Sequence, residues 1–230
     1  MEEVYIKIYQ KLVNDLKNMM ESILFVNRIK QISKKSAKDN SNKPLMILGP
    51  SAVGKETMIN RLKAKFPQII YKLPSYTTRP MRNGEVEGVD YYFVTKEEFF
   101  KLKNEGKLFG VQEYNNNFYV SNKSKLEEAL ENKTKVIILN YNIETANAVK
   151  DELNFNYVAI LPPSEAALRE RLIKKKIKAE DIEKRMEKCI KEIQLIHEAN
   201  YITYRVVNDE EEKAYNKIEN HLKEIYPQLK

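Results

Sequence analysis

The sequence predicts an α/β fold: a parallel core sheet flanked by helices, with a small mixed α/β subdomain at its side. Three observations predict it. Leu45–Leu48 and Val136–Leu139 are wholly apolar, as strands covered on both faces are. Such runs alternate along the chain with segments of helical spacing, the pattern of parallel strands joined by crossover helices. The first run also opens directly onto Gly49-Pro-Ser-Ala-Val-Gly-Lys55, the G-x-x-x-x-G-K spacing of a phosphate-binding loop.

Taken in order, residues 1–33 come first. Tyr5, Ile8, Leu12, Leu16, Met19, Ile23 and Val26 step by three and four with polar residues between them, which predicts one long amphipathic helix with a seam close to heptad spacing. Two readings fit this helix: it folds back on its own domain, or it binds a protein partner or self-associates. Residues 34–43 have almost no apolar content and read as a polar linker.

The main domain is expected from residue 44 to 230. Helices are predicted near 54–66, 96–104, 123–132, 143–152, 164–174, 180–199 and 209–225. Strands are predicted at 45–48, 69–73, 91–94, 107–114, 117–121, 136–139, 157–161 and 204–207. Asn115-Asn116-Asn117 has the composition of a hairpin turn. The short strands set the smaller subdomain at about 75–130.

Composition narrows the function classes. The 230 residues suit one α/β domain with an appendage. Net charge is +7, but Lys and Arg are spread along the chain, which suits phosphate ligands better than a nucleic-acid face. A single cysteine, Cys189, excludes a disulfide framework and a Cys-based metal site. No apolar run reaches membrane-spanning length. With Glu2 and Glu3 at the start and no targeting pattern, a cytoplasmic protein is expected.

In the loop, glycine lets backbone N–H groups turn onto phosphate oxygens, Lys55 supplies charge, and the following helix adds its positive end. This makes Gly49, Ser51, Ala52, Val53, Gly54 and Lys55 candidate ATP-binding residues. Glu56 stands where the pattern wants a hydroxyl, and Thr57 follows it. An acid about 4 Å from a phosphate charge costs roughly 4 kcal/mol at an effective dielectric of about 20.

A second informative stretch runs from Ser75 to Val94. Ser75, Thr77, Thr78, Arg79, Arg82, Glu85, Gly88, Asp90, Tyr91 and Phe93 fit the spacing S-x-T-T-R-x-x-R-x-x-E-x-x-G-x-D-Y-x-F. Here the chain resembles guanylate kinase and its relatives, including the guanylate-kinase-like domains of scaffold proteins. The resemblance covers about 44–226 and implies a P-loop nucleoside monophosphate kinase fold with a lid near 173–179. It implies that Arg79, Arg82, Tyr91 and Tyr119 hold a nucleoside monophosphate's phosphate, that Ser75 helps hold guanine, and that Glu85 belongs to the same site. It also implies catalytic roles for Lys55 and Arg185, and an ATP-side role for Asn208. Two arginines three apart are in any case a fork of donors suited to a phosphate monoester.

The chain departs from that pattern at chosen places. Gly110 and Asn142 stand where the family has guanine-reading carboxylates, Val120 replaces a glycine, and lysine in Ile173–Lys178 replaces a lid arginine. Losing a buried polar match costs about 1–3 kcal/mol, and lysine lacks the bidentate fork. Because these changes avoid the phosphate clamp, the expectation is a catalytically weak or inactive module that binds phosphate or a phosphorylated peptide, or serves as a scaffold. The alternative is an active kinase converting ATP and GMP to ADP and GDP. ATP and Mg²⁺ are then its cofactors, with no protein metal ligand assigned beyond Thr57 and otherwise none.

Overall fold

The computed structural model describes residues 2–34, 43–114, 116–151, 154–175, 177 and 179–230. The 34–43 linker therefore falls almost wholly outside the described residues, as do Asn115 of the predicted hairpin turn and Lys176 and Lys178 of the expected lid. The described chain forms two compact units, residues 1–35 with 74–131 and residues 36–73 with 132–230.

The larger unit holds a five-stranded parallel sheet. Its strands are β1 (Leu45–Leu48), β2 (Ile70–Lys72), β7 (Val136–Asn140), β8 (Asn156–Leu161) and β9 (Tyr204–Val207), in the order β2-β7-β1-β8-β9. β1 is central, with Leu45 to Leu48 fully buried between β7 and β8. The all-apolar runs are thus the innermost strands, because both faces are covered. Helices α2 (Lys55–Lys65) and α8 (Glu211–Ile225) supply Met58, Ile59, Leu62, Ile218 and Leu222 to the core under the sheet. Helices α5 (Ile143–Val149), α6 (Glu165–Lys174) and α7 (Ala179–Glu198) complete the unit. Leu168, Leu172, Ile182, Met186 and Cys189 form a smaller cluster between α6 and α7.

The smaller unit holds a second, mixed sheet of β3 (Ser75–Thr77), β4 (Tyr91–Phe93), β5 (Leu108–Tyr114) and β6 (Asn117–Asn122), in the order β4-β3-β6-β5. β3 lies in a stretch that the sequence reads as turn. It has only three residues, Ser75, Tyr76 and Thr77, so neither length nor alternation marks it as a strand. Helices α3 (Lys96–Asn104) and α4 (Lys123–Glu131) cover this sheet, α3 starting at a Thr95–Glu98 capping box. The long first helix, α1 (Glu2–Lys34), belongs to this unit as well. Phe25 and Ile29 bury against it, with the Phe25 ring 5.6 Å from Phe109.

Candidate functional site

On the larger unit, β1 ends in a loop whose glycines are required by space. Gly49 has φ +145°, and a Cβ there would lie 2.4 Å from the Ile160 carbonyl oxygen. Gly54 has φ +104°, and its Cβ would sit 2.7 Å from Asn208 Nδ2. L-residues avoid this backbone region, so the loop's shape depends on both positions. Asn208, in the segment after β9, donates from Nδ2 to the Val53 carbonyl at 2.8 Å. The structure therefore brings Asn208 onto the loop, and Arg171 holds the Asn208 carbonyl at 2.6 Å.

Lys55 opens α2 and folds back over the loop, donating from Nζ to the carbonyls of Gly49 at 2.5 Å and Pro50 at 3.0 Å. Burial pushes its ammonium down, while Glu192 and Glu56 pull it up. Glu192 lies on the buried face of α7 beside Cys189. Burial raises its carboxyl, and the opposing Lys55 charge lowers it. Burial also raises the Cys189 thiol. Sequence reading missed Glu192, although a signal was there. It occupies the apolar stripe of Ile182, Met186, Cys189 and Ile196, where helical spacing calls for another apolar residue.

Glu56 does not face the loop as a bare charge. Its Oε2 accepts from Lys72 Nζ at 2.9 Å, and its Oε1 accepts from Asn140 Nδ2 at 2.6 Å. Lys72 is nearly buried, its side chain 9% exposed, and sits at the end of β2. Asn140 ends the adjacent β7. The parallel register sets both donors at the same edge of the sheet as the loop. The pair is well made, and it revises the repulsion argument: the carboxylate is neutralised by a near neighbour and turned toward the sheet edge. Thr57 is exposed on α2, and Arg185 is partly buried on α7.

On the smaller unit, Arg79 makes a bidentate pair with Glu85, at 2.9 Å from Nη1 and 2.7 Å from Nη2. The pairing raises the Arg79 guanidinium and lowers the Glu85 carboxyl, with a side-chain bond to Tyr119 as a further contribution to Arg79. Arg79 lies 5.3 Å over the Tyr91 ring, and Tyr91 meets Tyr119 edge-on at 5.9 Å. Ser75 pairs with Tyr91, and Thr77 with Tyr119, across β3. Arg79, Glu85, Tyr91, Tyr119 and Ser75 thus gather around one end of the small sheet. Arg82 joins only through its backbone N–H, which donates to Glu85 at 2.7 Å, and its side chain is exposed.

Gly110 and Asn142, where the resemblance led one to expect guanine-reading carboxylates, sit in different local structure. Gly110 has φ +67° where the β5–β6 register shifts between Phe109 and Gln112. A bulge with a left-handed residue favours glycine, so the backbone at this position suits the residue that is there. Asn142 caps α5, its side-chain oxygen accepting from the Thr145 N–H at 2.9 Å. That oxygen is therefore already committed to the helix.

Comparisons with known proteins agree on one family. The sequence profile described as "Guanylate kinase" matches residues 41–225. The chain is 38% identical to a guanylate kinase of Clostridium perfringens over 184 residues, 79% of this chain and 83% of that one. It is 36% identical to a guanylate kinase of Schizosaccharomyces pombe over 179 residues, 77% of this chain and 88% of that one. The structure is similar to the crystal structure of guanylate kinase from Anaplasma phagocytophilum, with a TM-score of 0.63 at 28% identity, covering 82% of this chain and 87% of that one.

Proposed function

The chain belongs to the guanylate kinase family and has its P-loop nucleoside monophosphate kinase fold, and from that premise we propose that it is an active kinase that transfers a phosphoryl group from ATP to GMP. One observation carries this reading. The acid that would repel ATP, Glu56, is held by Lys72 and Asn140, so the loop keeps the electrostatics that nucleotide binding needs. Relatives that match over most of the chain are themselves named guanylate kinases, which supports the same reading.

The roles follow from the chain's own residues. ATP, carried with Mg²⁺, supplies the transferable phosphoryl group. The loop N–H groups and the start of α2 cradle its phosphates, and Lys55 exchanges the Gly49 and Pro50 carbonyls for phosphate oxygens. Asn208 keeps the loop closed from behind. Glu85 orients Arg79, whose guanidinium, with Tyr91 and Tyr119, seats the acceptor phosphate. Arg185 offsets charge that builds on the transferred group. On the acceptor side Ser75 is left as a base contact, so discrimination for guanine is weaker than two carboxylates would give.

The test is ADP release under saturating ATP with GMP, dGMP, AMP and UMP in turn. GMP should turn over fastest, with AMP within about 100-fold of it, since one lost polar match is worth about 1–3 kcal/mol. If no monophosphate turns over while phosphate or a phosphoserine peptide still binds, the phosphate-binding or scaffold module takes the place of the kinase.

A further inference from the structure

The first helix docks on its own unit by the wrong side. Asn18, Glu21, Ser22, Phe25, Val26 and Ile29 are its buried or half-buried positions among the described side chains, and their three- and four-residue spacing makes them one stripe. Phe25 and Ile29 are its only fully buried residues among those described. The polar part of that stripe lines, with Asn14 and Lys17, a hydrophilic groove against α3, facing Glu97, Lys101 and Glu105. Ser22 accepts from Lys123 at 3.0 Å, and Arg28 pairs with Glu127 at 3.2 Å.

The apolar seam faces the other way. Twelve large apolar side chains of α1 are between 44% and 70% exposed. Tyr5, Tyr9, Leu12, Leu16, Met19 and Ile23 step by four and three without a break, the spacing of a and d positions in a left-handed coiled coil. Ile6, Val13 and Met20 extend the stripe along one flank. On the order of 1,000 Å² of side-chain surface is left in water. That is more than the few hundred Å² that monomers leave contiguous, and about what each partner buries in a standard interface.

We propose that this face is a self-association surface, and that its occupant is the same helix of a second copy of the chain. Two observations choose the copy over another partner. An unbroken heptad seam three repeats long calls for a helix of matching period and length, and a two-fold axis provides that helix. The positions flanking the seam carry a single charge, Asp15, so a second copy meets almost no like-charge repulsion, and a strongly acidic or basic partner finds little to pair with. Binding through α1 leaves both phosphate-binding regions untouched, so each copy keeps its own site.

The experiment is light scattering on the full chain after size-exclusion chromatography, from about 5 to about 100 µM. The expected mass is at least twice the 27.1 kDa chain. Leu12→Glu with Leu16→Glu should bring it to one chain, with turnover per chain within twofold of wild type and helix content unchanged. Tyr9→Glu with Met19→Glu, on the same seam, should do the same if the first pair aggregates. A wild-type monomer at 100 µM overturns the proposal. So does an oligomer that survives both double variants, or a monomer that instead co-sediments with phosphatidylglycerol vesicles, which assigns the face to lipid.

Discussion

The phosphate loop and the monophosphate-side sheet have each lost a residue their family relies on, and they respond differently. At the loop, Glu56 brings an unwanted charge, and two neighbours absorb it within hydrogen-bond distance, Lys72 at 2.9 Å and Asn140 at 2.6 Å. On the smaller unit, Gly110 offers no side chain, and its backbone sits at a bulge with φ +67°. A substitution that adds a group can be compensated by partners. One that removes a group leaves only whatever other contacts remain. The difference places the expected cost on base choice and spares phosphate binding.

The largest effect should come from the clamp that both readings need. Arg79→Ala removes a charge-assisted pair and leaves Glu85 without its partner, where each such bond is worth about 1.5–3 kcal/mol. kcat/KM for GMP should fall by about 100-fold, with KM carrying most of the change. Arg82→Ala should cost about 10-fold, because that side chain is exposed and only its backbone reaches Glu85. Equal losses in the two variants would mean that Arg82 swings in on binding and that the clamp is completed by substrate.

Next comes the compensation itself. Lys72→Met keeps the volume of a nearly buried side chain and withdraws the charge that neutralises Glu56. KM for ATP should rise about 10-fold, equivalent to about 1.4 kcal/mol. Glu56→Ser alone should change it by less than threefold, and Glu56→Ser added to Lys72→Met should restore it. A double variant no better than Lys72→Met would show that Lys72 acts on the fold and not through Glu56.

The bulge can be tested directly. Gly110→Glu returns the carboxylate but forces a side chain into the left-handed region, at about 1–2 kcal/mol. The thermal midpoint should drop by roughly 2–8 °C for a protein of this size, and the GMP to AMP preference should stay within threefold of wild type. A tenfold gain in GMP preference would show that the backbone at Gly110 returns to an ordinary strand once glutamate is present.

Much of this was legible in the sequence. The buried strands, the loop glycines and the position of Asn208 followed from apolar runs, spacing and family resemblance, because each depends on local sequence or on a long motif. What was not legible depends on which side chains meet across the sheet. Lys72 looked like a lone polar residue in a short strand, and only the parallel pairing of β2 with β7 sets it near Glu56. Likewise, the apolar seam of α1 left open whether it docks on its own domain, and the docked stripe is a mixed one around Phe25 and Ile29. Two aromatic and aliphatic anchors outweighed a longer stripe, and no pattern in one helix shows which face its neighbour will meet.

The smallest expected effect concerns what holds the loop's helix from behind. Glu219 of α8 is buried and accepts from Lys65 of α2 at 2.7 Å and from Lys223 at 2.6 Å. Burial alone would raise this carboxyl, but hydrogen bonds from Lys223 and Lys65 hold it down at about 2. Because the folded value lies below the ordinary one of 4.5, the contribution to stability is fully present above pH 4.5. It is lost as pH falls from there through about 2. Water screens the two lysines, whose side chains are 51% and 33% exposed, so the network is worth about 1–2 kcal/mol. Glu219→Gln should therefore lower stability by that amount in urea titrations at pH 7, with the gap to wild type closing as the pH approaches 3. ATP affinity at pH 7 should change by less than twofold, because the loop's shape is set by Gly49, Gly54 and Asn208. A large loss of ATP binding in Glu219→Gln would mean that the α2–α8 contact, and not the loop, fixes the phosphate site. A gap that stays constant down to pH 3 would mean that Glu219 is not ionised in the fold.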